Sequence, residues 1–242
     1  MRSRATPGRT SSTCGRGPRS SEAPGEKETA VTTTEPQTQT QTETKDGKTV
    51  EFYFDVGSPA AYLAWTQLPR LCAEAGAALV WKPMLLGGVF QAIGNRSPAE
   101  IPGKGAYLMR DLARHAARYG VPWVRNPHFP IHTLLLMRGA TGFLMHEPAR
   151  LDAYLGAVMR AMWVEPRDLN DPAEVVAMLQ SAGFDTAAVS ALATRPDVKD
   201  RLKATTGEAV ARGVFGAPTM FVGDAMFWGQ DRLDFVREAL GA

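Results

Sequence analysis

Phe52-Tyr53-Phe54-Asp55-Val56-Gly57-Ser58-Pro59-Ala60-Ala61-Tyr62-Leu63 decides the fold of this chain. An apolar, aromatic run ends in a tight turn, which reads as a buried strand. Ser58-Pro59 then supplies a capping hydroxyl and a first-turn proline, so a helix starts at once. The junction Ser58-Pro59-Ala60-Ala61 contains no sulfur and cannot exchange disulfides. Its hydroxyl can still hold a thiolate that arrives on a cofactor, because unpaired N–H groups and partial positive charge collect at a helix N-terminus. The same Ser-Pro pair is also an ordinary helix cap, and both roles use one geometry.

Working outward, Val50 to Asp55 is the strand and Pro59 to Ala75 the helix, with Tyr62, Leu63, Leu68 and Leu71 as its apolar stripe. Pro69 predicts a kink or break, and Gly76 stands where a C-terminal cap belongs. Ala78 to Lys82 is a second strand, and a β-α-β unit favours parallel pairing. Helical patterns follow over 104–119, 133–145, 148–164, 172–182, 185–193 and 197–212. Strand character returns at Thr219 to Val222 and Ala225 to Trp228 around a Gly223-Asp224 turn, a hairpin pattern, and Asp231 to Leu240 closes as a helix. The predicted class is α/β: a thioredoxin-like fold (β-α-β, then β-β-α) with an all-helical domain inserted in its middle. The expected divisions are 48–84 with 213–242 for the thioredoxin-like part and 85–212 for the helical insertion. Gly216-Ala217-Pro218-Thr219 agrees with this, since in that fold the proline before the strand is cis and faces the start of the first helix. The alternative is an ordinary trans proline leading a strand.

Residues 1–47 hold almost nothing apolar larger than alanine, so the segment reads as a disordered extension, or as translation from an upstream start codon. Its early Arg and Ser faintly suggest a transit peptide, but no amphipathic pattern accompanies them. Over the 242 residues, 44% are hydrophobic and 21% charged, ordinary for a globular protein, and the net charge of +2 argues against nucleic acid or an anionic membrane as partner. No apolar run reaches the ~20 residues of a bilayer span. Two cysteines, Cys14 and Cys72, lack close sequence partners, which favours a reducing, cytoplasmic setting. Cys72 and the Met-rich helices read as core. His128 and His132 are four apart, but Pro130 lies between them and no third ligand is evident, so no metal is expected. Trp123, Phe129 and Trp228 read as candidates for an aromatic pocket, or as core.

The ordered set of short motifs resembles the 2-hydroxychromene-2-carboxylate isomerase family, which sits with kappa-class glutathione transferases in the DsbA-like branch. The set comprises Phe52-Tyr53-Phe54-Asp55 with Ser58-Pro59 and Tyr62-Leu63; Lys82-Pro83; Gly94-Asn95-Arg96; Pro102-Gly103-Lys104-Gly105; Gly213 through Thr219; and Phe227-Trp228-Gly229-Gln230-Asp231-Arg232-Leu233. The likeness covers roughly residues 49 to 241. It implies glutathione as cofactor and the conversion of a chromene carboxylate to an open-chain trans-benzylidenepyruvate in aromatic hydrocarbon catabolism. It implies a homodimer. It also implies Ser58 as the catalytic serine beside the glutathione sulfur, and Ala217, before Pro218, as the backbone partner of the cysteinyl unit. Trp228, Gly229, Gln230 and Asp231 would hold the γ-glutamyl end. Asn95 and Lys104 would line the cleft, with Arg96 as a helper. The family often carries Asn where this chain has His132, a departure that bears on the substrate more than on the cofactor.

The chemistry suits a borrowed thiol. A double bond rotates only after a nucleophile has added across it, and a thiolate both adds to electron-poor alkenes and leaves again. Two alternatives remain at this point: a kappa-like glutathione transferase or peroxidase acting on other electrophiles, and a non-catalytic thioredoxin-like binding module.

Overall fold

The computed structural model describes residues 47–242, so the expected extension, Gly47 excepted, lies outside the described residues together with Cys14. The elements run β1 (Thr49–Phe54), α1 (Pro59–Glu74), β2 (Ala78–Pro83), α2 (Leu86–Ile93), α3 (Pro102–Tyr119), α4 (Leu134–His146), α5 (Leu151–Trp163), α6 (Pro172–Ser181), α7 (Thr186–Thr194), α8 (Pro196–Ala211), β3 (Thr219–Val222), β4 (Ala225–Trp228) and α9 (Leu233–Ala239). The sheet order is β2-β1-β3-β4. β1 and β2 are parallel, from Thr49 opposite Ala78 to Phe54 opposite Pro83. β3 is antiparallel to β1, and β4 to β3. β1 is covered on both faces, and Phe52 to Phe54 are fully buried. Val50, Phe52 and Phe54 face the main core with α1, α4 and α5, while Tyr53 packs with Met84, Val89, Ala209, Val214 and Phe221 on the other side. The methionines read as core are core: Met137, Met159 and Met162 are fully buried. Each such side chain contributes ~1.5–3 kcal/mol by leaving water.

Helix α1 runs unbroken through Pro69, so of the kink or break expected there the break does not occur. The proline ring lies on the exposed face, where water can take the carbonyl that loses its partner one turn back, and the buried residues Leu68, Leu71 and Cys72 hold both sides of it. Gly76 takes a left-handed φ of 64° just past the helix end, as a capping glycine does. Two other helix starts shift. A 3-10 turn occupies Pro148–Arg150 before α5, and another occupies Gln230–Arg232 before α9. The Ala217–Pro218 bond is cis, as the fold reading required, and so is Phe129–Pro130, which nothing in the sequence singled out. Among the described residues no single helix is long and apolar enough to cross a membrane.

A charged network pins α8 to the sheet. Lys82 pairs with Glu51 and Glu208 at 3.0 and 2.9 Å. Arg212 donates to Glu51 and to the Tyr53 hydroxyl, and that hydroxyl donates to Glu208 at 2.6 Å. Burial alone would raise the Glu51 and Glu208 carboxyls. Hydrogen bonds from Arg212 and Lys82 to Glu51, and from Tyr53 and Lys82 to Glu208, outweigh burial and hold both below the ordinary value. Burial and the bond to Glu208 push Tyr53 up to about 12. The two glutamates therefore stabilise the fold above the ordinary carboxyl range, and that contribution is lost as pH falls through their folded values. Tyr53 works with the opposite sign: its contribution is complete below its ordinary pKa and is lost as pH rises from there towards about 12. Denaturant titrations across pH should show stability falling at both extremes, with Glu51→Gln flattening the acid limb. An unchanged acid limb in that variant would remove the network from the account.

Candidate active site

The loop from Asp55 to Ser58 leaves β1 at the sheet's centre and is fixed from several sides. Ser58 N–H donates to the Asp55 carbonyl at 3.0 Å. Gly57 N–H donates to Asp55 Oδ1 at 2.9 Å, the side-chain turn that aspartate favours. The Trp163 indole N–H donates to the Val56 carbonyl at 2.9 Å. Asp55 Oδ2 accepts from Leu86 N–H at 2.9 Å and from Thr133 Oγ1 at 3.0 Å. One buried carboxylate thus ties the loop to the start of α2 and to the segment before α4. Burial pushes the Asp55 carboxyl above its ordinary value, against the pull of these three donors.

Ser58 is buried and caps α1, its Oγ accepting from Ala61 N–H at 3.2 Å and donating to the Ala217 carbonyl at 2.8 Å. Pro59 has no N–H, so Ala60 supplies the single N–H of the first turn left without an acceptor among the described residues. The several free donors expected at this helix end reduce to one. The Ser58 proton itself is engaged by Ala217. Gly229 N–H donates to the Pro218 carbonyl at 3.0 Å, which brings the end of the hairpin beside the cis proline. Ser58, Ala217, Pro218 and Gly229 therefore converge from three separate stretches of sequence.

The neighbouring residues fit closely. Trp228 is half exposed, and its ring centroid lies 4.9 Å from that of Phe215. Its indole nitrogen stands where a Cβ on Gly216 would come within 2.5 Å, so position 216 has no room for a side chain. Gly229 adopts φ 106°, and a Cβ there would meet Asp231 Oδ1 at 2.5 Å. Gln230 is buried and its carbonyl accepts from Tyr119 at 2.7 Å, while Asp231 pairs with Arg232 at 2.7 Å. Asn95 joins the cluster indirectly, its Nδ2 donating to the Phe215 carbonyl at 3.0 Å. Arg96, Lys104 and His132 are exposed, and no hydrogen bond or ion pair among the described residues links their side chains to this cluster. His132 donates through its backbone to Asn170 at 3.0 Å, and the His128 ring faces Asp168 at 3.5 Å. Cys72 is buried, and burial pushes its thiol up to about 11, so it is not a nucleophile.

Beyond Trp163 lies a cavity of about 670 Å3 walled by Met109, Phe129, Pro130 and Trp163, with Arg125 and Asn126 at its edge. Phe129 therefore does line a pocket. Trp123 packs against the main core, and its indole nitrogen has no partner among the described residues. Asp55 stands in the opening motif with no role assigned to it, and Trp163 and Arg125 stand in none of the motifs. Of these, only Asp55 left a signal, an aspartate two residues before a glycine at a strand end.

Residues 49–241 match the DSBA-like thioredoxin domain. A 2-hydroxychromene-2-carboxylate isomerase of Sphingobium xenophagum is 33% identical over 198 residues, covering 80% of this chain and 98% of its own length. The chain belongs to this family. It is an isomerase by that membership. A solved 2-hydroxychromene-2-carboxylate isomerase structure superimposes with a TM-score of 0.70 at 32% identity, covering 80% of this chain and 94% of that one. The kappa 1 glutathione S-transferase of Rattus norvegicus is 28% identical over 206 residues, covering 80% of this chain and 91% of its own length. For a member of the 2-hydroxychromene-2-carboxylate isomerase family, the absence of any thiol at Ser58-Pro59-Ala60-Ala61 sets the chemical question: where the nucleophile comes from.

Proposed function

We propose that this chain is a glutathione-dependent cis–trans isomerase that converts 2-hydroxychromene-2-carboxylate to trans-o-hydroxybenzylidenepyruvate in aromatic hydrocarbon catabolism. The observation that carries the reading is the Ser58 hydroxyl, set at the start of α1 against the carbonyl that precedes the cis proline. Glutathione, when bound, supplies a thiolate that adds reversibly to the electron-poor alkene, so that the carbon–carbon bond can rotate before the sulfur leaves.

The protein's part is to stabilise the anion. A free thiol has pKa ~8.5, and lowering it by ~2 units requires ~2.7 kcal/mol of preference for the thiolate. A hydroxyl bond to an anion is worth ~1.5–3 kcal/mol, and the helix N-terminus adds ~0.3–1 kcal/mol. Ser58 turns its proton from the Ala217 carbonyl to the sulfur, which releases that carbonyl to accept the ligand's cysteinyl N–H. The exchange leaves no acceptor unpaired. The open N–H of Ala60 faces the same helix end. Trp228, Gly229, Gln230 and Asp231 hold the γ-glutamyl end, with the Asp231 carboxylate answering its ammonium group. Asn95, Lys104, Arg96 and His132 orient the substrate from the cleft rim. The enzyme acts in the cytoplasm as a homodimer built of a thioredoxin-like part (48–84, 213–242) and a helical part (85–212).

An ultraviolet assay of chromene carboxylate with catalytic amounts of glutathione tests this. The expected result is many turnovers per glutathione and none without it. A rate independent of glutathione rejects the mechanism. Stoichiometric consumption favours the second reading, a kappa-like transferase or peroxidase, for which the likeness to the rat kappa enzyme speaks.

A further inference from the structure

The cavity beyond Trp163 has aromatic and apolar walls and one cation with no use inside the fold. Met109, Phe129, Pro130 and Trp163 supply the walls, and the Phe129 and Trp163 rings lie 6.0 Å apart. Arg125 is exposed at the cavity's edge and has no ion pair or hydrogen bond among the described residues, whereas Asn126 beside it is buried and fully used, donating to the carbonyls of Met162 and Arg167. An arginine that neither pairs nor packs away is available to a ligand, and its planar fork suits a carboxylate. The acid on the wall, Glu100, accepts from Ser97 N–H at 3.2 Å and makes no ion pair with Arg125. It leaves the Arg125 end as the side where an anion is favoured. Trp163 links this cavity to the catalytic loop, since its N–H holds the Val56 carbonyl two residues before Ser58.

We propose that this cavity takes the substrate, a flat aromatic ring bearing a carboxylate, and that Arg125 is the specificity-determining residue that holds the carboxylate. The inference rests on the isomerase reading for which molecule arrives, and it names the group that selects it. Arg125 touches the ligand's carboxylate and takes no part in the bond changes. The aromatic body lies against the wall that Phe129 and Trp163 form together, which shields that face from water.

The test is calorimetric titration of the full chain with trans-cinnamate, an aromatic carboxylate of similar shape, and with cinnamamide, its uncharged isostere, each with and without saturating glutathione. Wild type should bind cinnamate at least tenfold more tightly than Arg125→Met does. Cinnamamide should bind both equally, and Arg125→Lys should recover part of the loss. Ala106→Trp, at an exposed position on the cavity wall, should weaken both ligands by filling the space. Equal cinnamate affinity in wild type and Arg125→Met, or no effect of Ala106→Trp, overturns the proposal. Failure to bind glutathione, with Arg125-dependent cinnamate binding intact, would overturn the isomerase mechanism and leave the cavity's specificity standing.

Discussion

Ser58→Ala should slow isomerisation at neutral pH by about 10- to 100-fold and shift the thiolate limb of the pH–rate profile towards alkaline pH by about one to two units. The magnitude follows from removing one hydroxyl bond to an anion, ~1.5–3 kcal/mol, with each pKa unit worth 1.36 kcal/mol. The sign follows too. In the proposed mechanism the wild-type site lowers the thiol pKa, so losing the donor raises it, and less thiolate is present at neutral pH. Activity should therefore recover in part at high pH, where the thiol ionises unaided. The same change removes the α1 cap and a bond to the Ala217 carbonyl. A lost cap costs ~0.5–2 kcal/mol of stability, so denaturant melts must accompany the kinetics. Ultraviolet thiolate absorbance of enzyme-bound glutathione separates the two effects, because a purely structural role for Ser58 would lower stability without moving the thiol's titration. An unshifted titration would leave Ser58 as a cap and nothing more.

Most of this architecture was legible in the sequence, because strong local signals coincided with the tertiary fold. The β1–α1 junction has a strand run, a turn and a Ser-Pro cap in immediate succession. The hairpin at 219–228 has two short apolar runs around Gly-Asp. Pro218 was readable only jointly with Ser58, since a strand-leading proline alone does not imply a cis bond. What escaped was set by partners distant in the chain. Helix α2 contains Gly87-Gly88, poor helix formers, and its cap residue Leu85 offers no side-chain acceptor. Its first N–H is satisfied by Asp55, 31 residues upstream. At Pro69 the opposite holds: local chemistry argued for a kink or break, and packing on both sides keeps the helix unbroken. In the candidate site, the residues of the β1–α1 turn and of the 215–231 segment come together. Arg96, Lys104 and His132 lie in loops or on an exposed helix start, where sequence gives a residue type and no direction. Arg125 carries no motif, and its interest comes entirely from the cavity it faces and the partner it lacks.

Asp55 is the residue in the opening motif whose loss should disturb the most structure. Its carboxylate accepts from Gly57 N–H, Leu86 N–H and the Thr133 hydroxyl, so it shapes the loop that carries Ser58, caps α2 and fixes the entry to α4 in one place. Asp55→Ala strands all three donors in a buried space. Bonds to a charged acceptor are worth ~1.5–3 kcal/mol each, offset by relief of the carboxylate's own desolvation, which leaves a net loss of about 2–4 kcal/mol. Asp55→Asn is the sharper probe, because it keeps the shape and replaces one acceptor with a donor. With the amide nitrogen in the Oδ1 position, it opposes Gly57 N–H and the loop carrying Ser58 must open. With the nitrogen in the Oδ2 position, it opposes Leu86 N–H and α2 loses its cap; Thr133 alone can adapt, by turning its hydroxyl to accept. Either arrangement should lower stability by about 1–3 kcal/mol, the cost of an unsatisfied buried group. The first should also weaken glutathione binding and slow turnover, since Ser58 follows Gly57 directly. Denaturant melts and glutathione titrations on both variants decide the matter. If Asp55→Asn matched wild type in stability and glutathione affinity alike, the buried carboxylate would not be organising the site. The loop carrying Ser58 would then owe its shape to its remaining bonds, among them Ser58 N–H to the Asp55 carbonyl, Trp163 to the Val56 carbonyl and Ser58 Oγ to the Ala217 carbonyl.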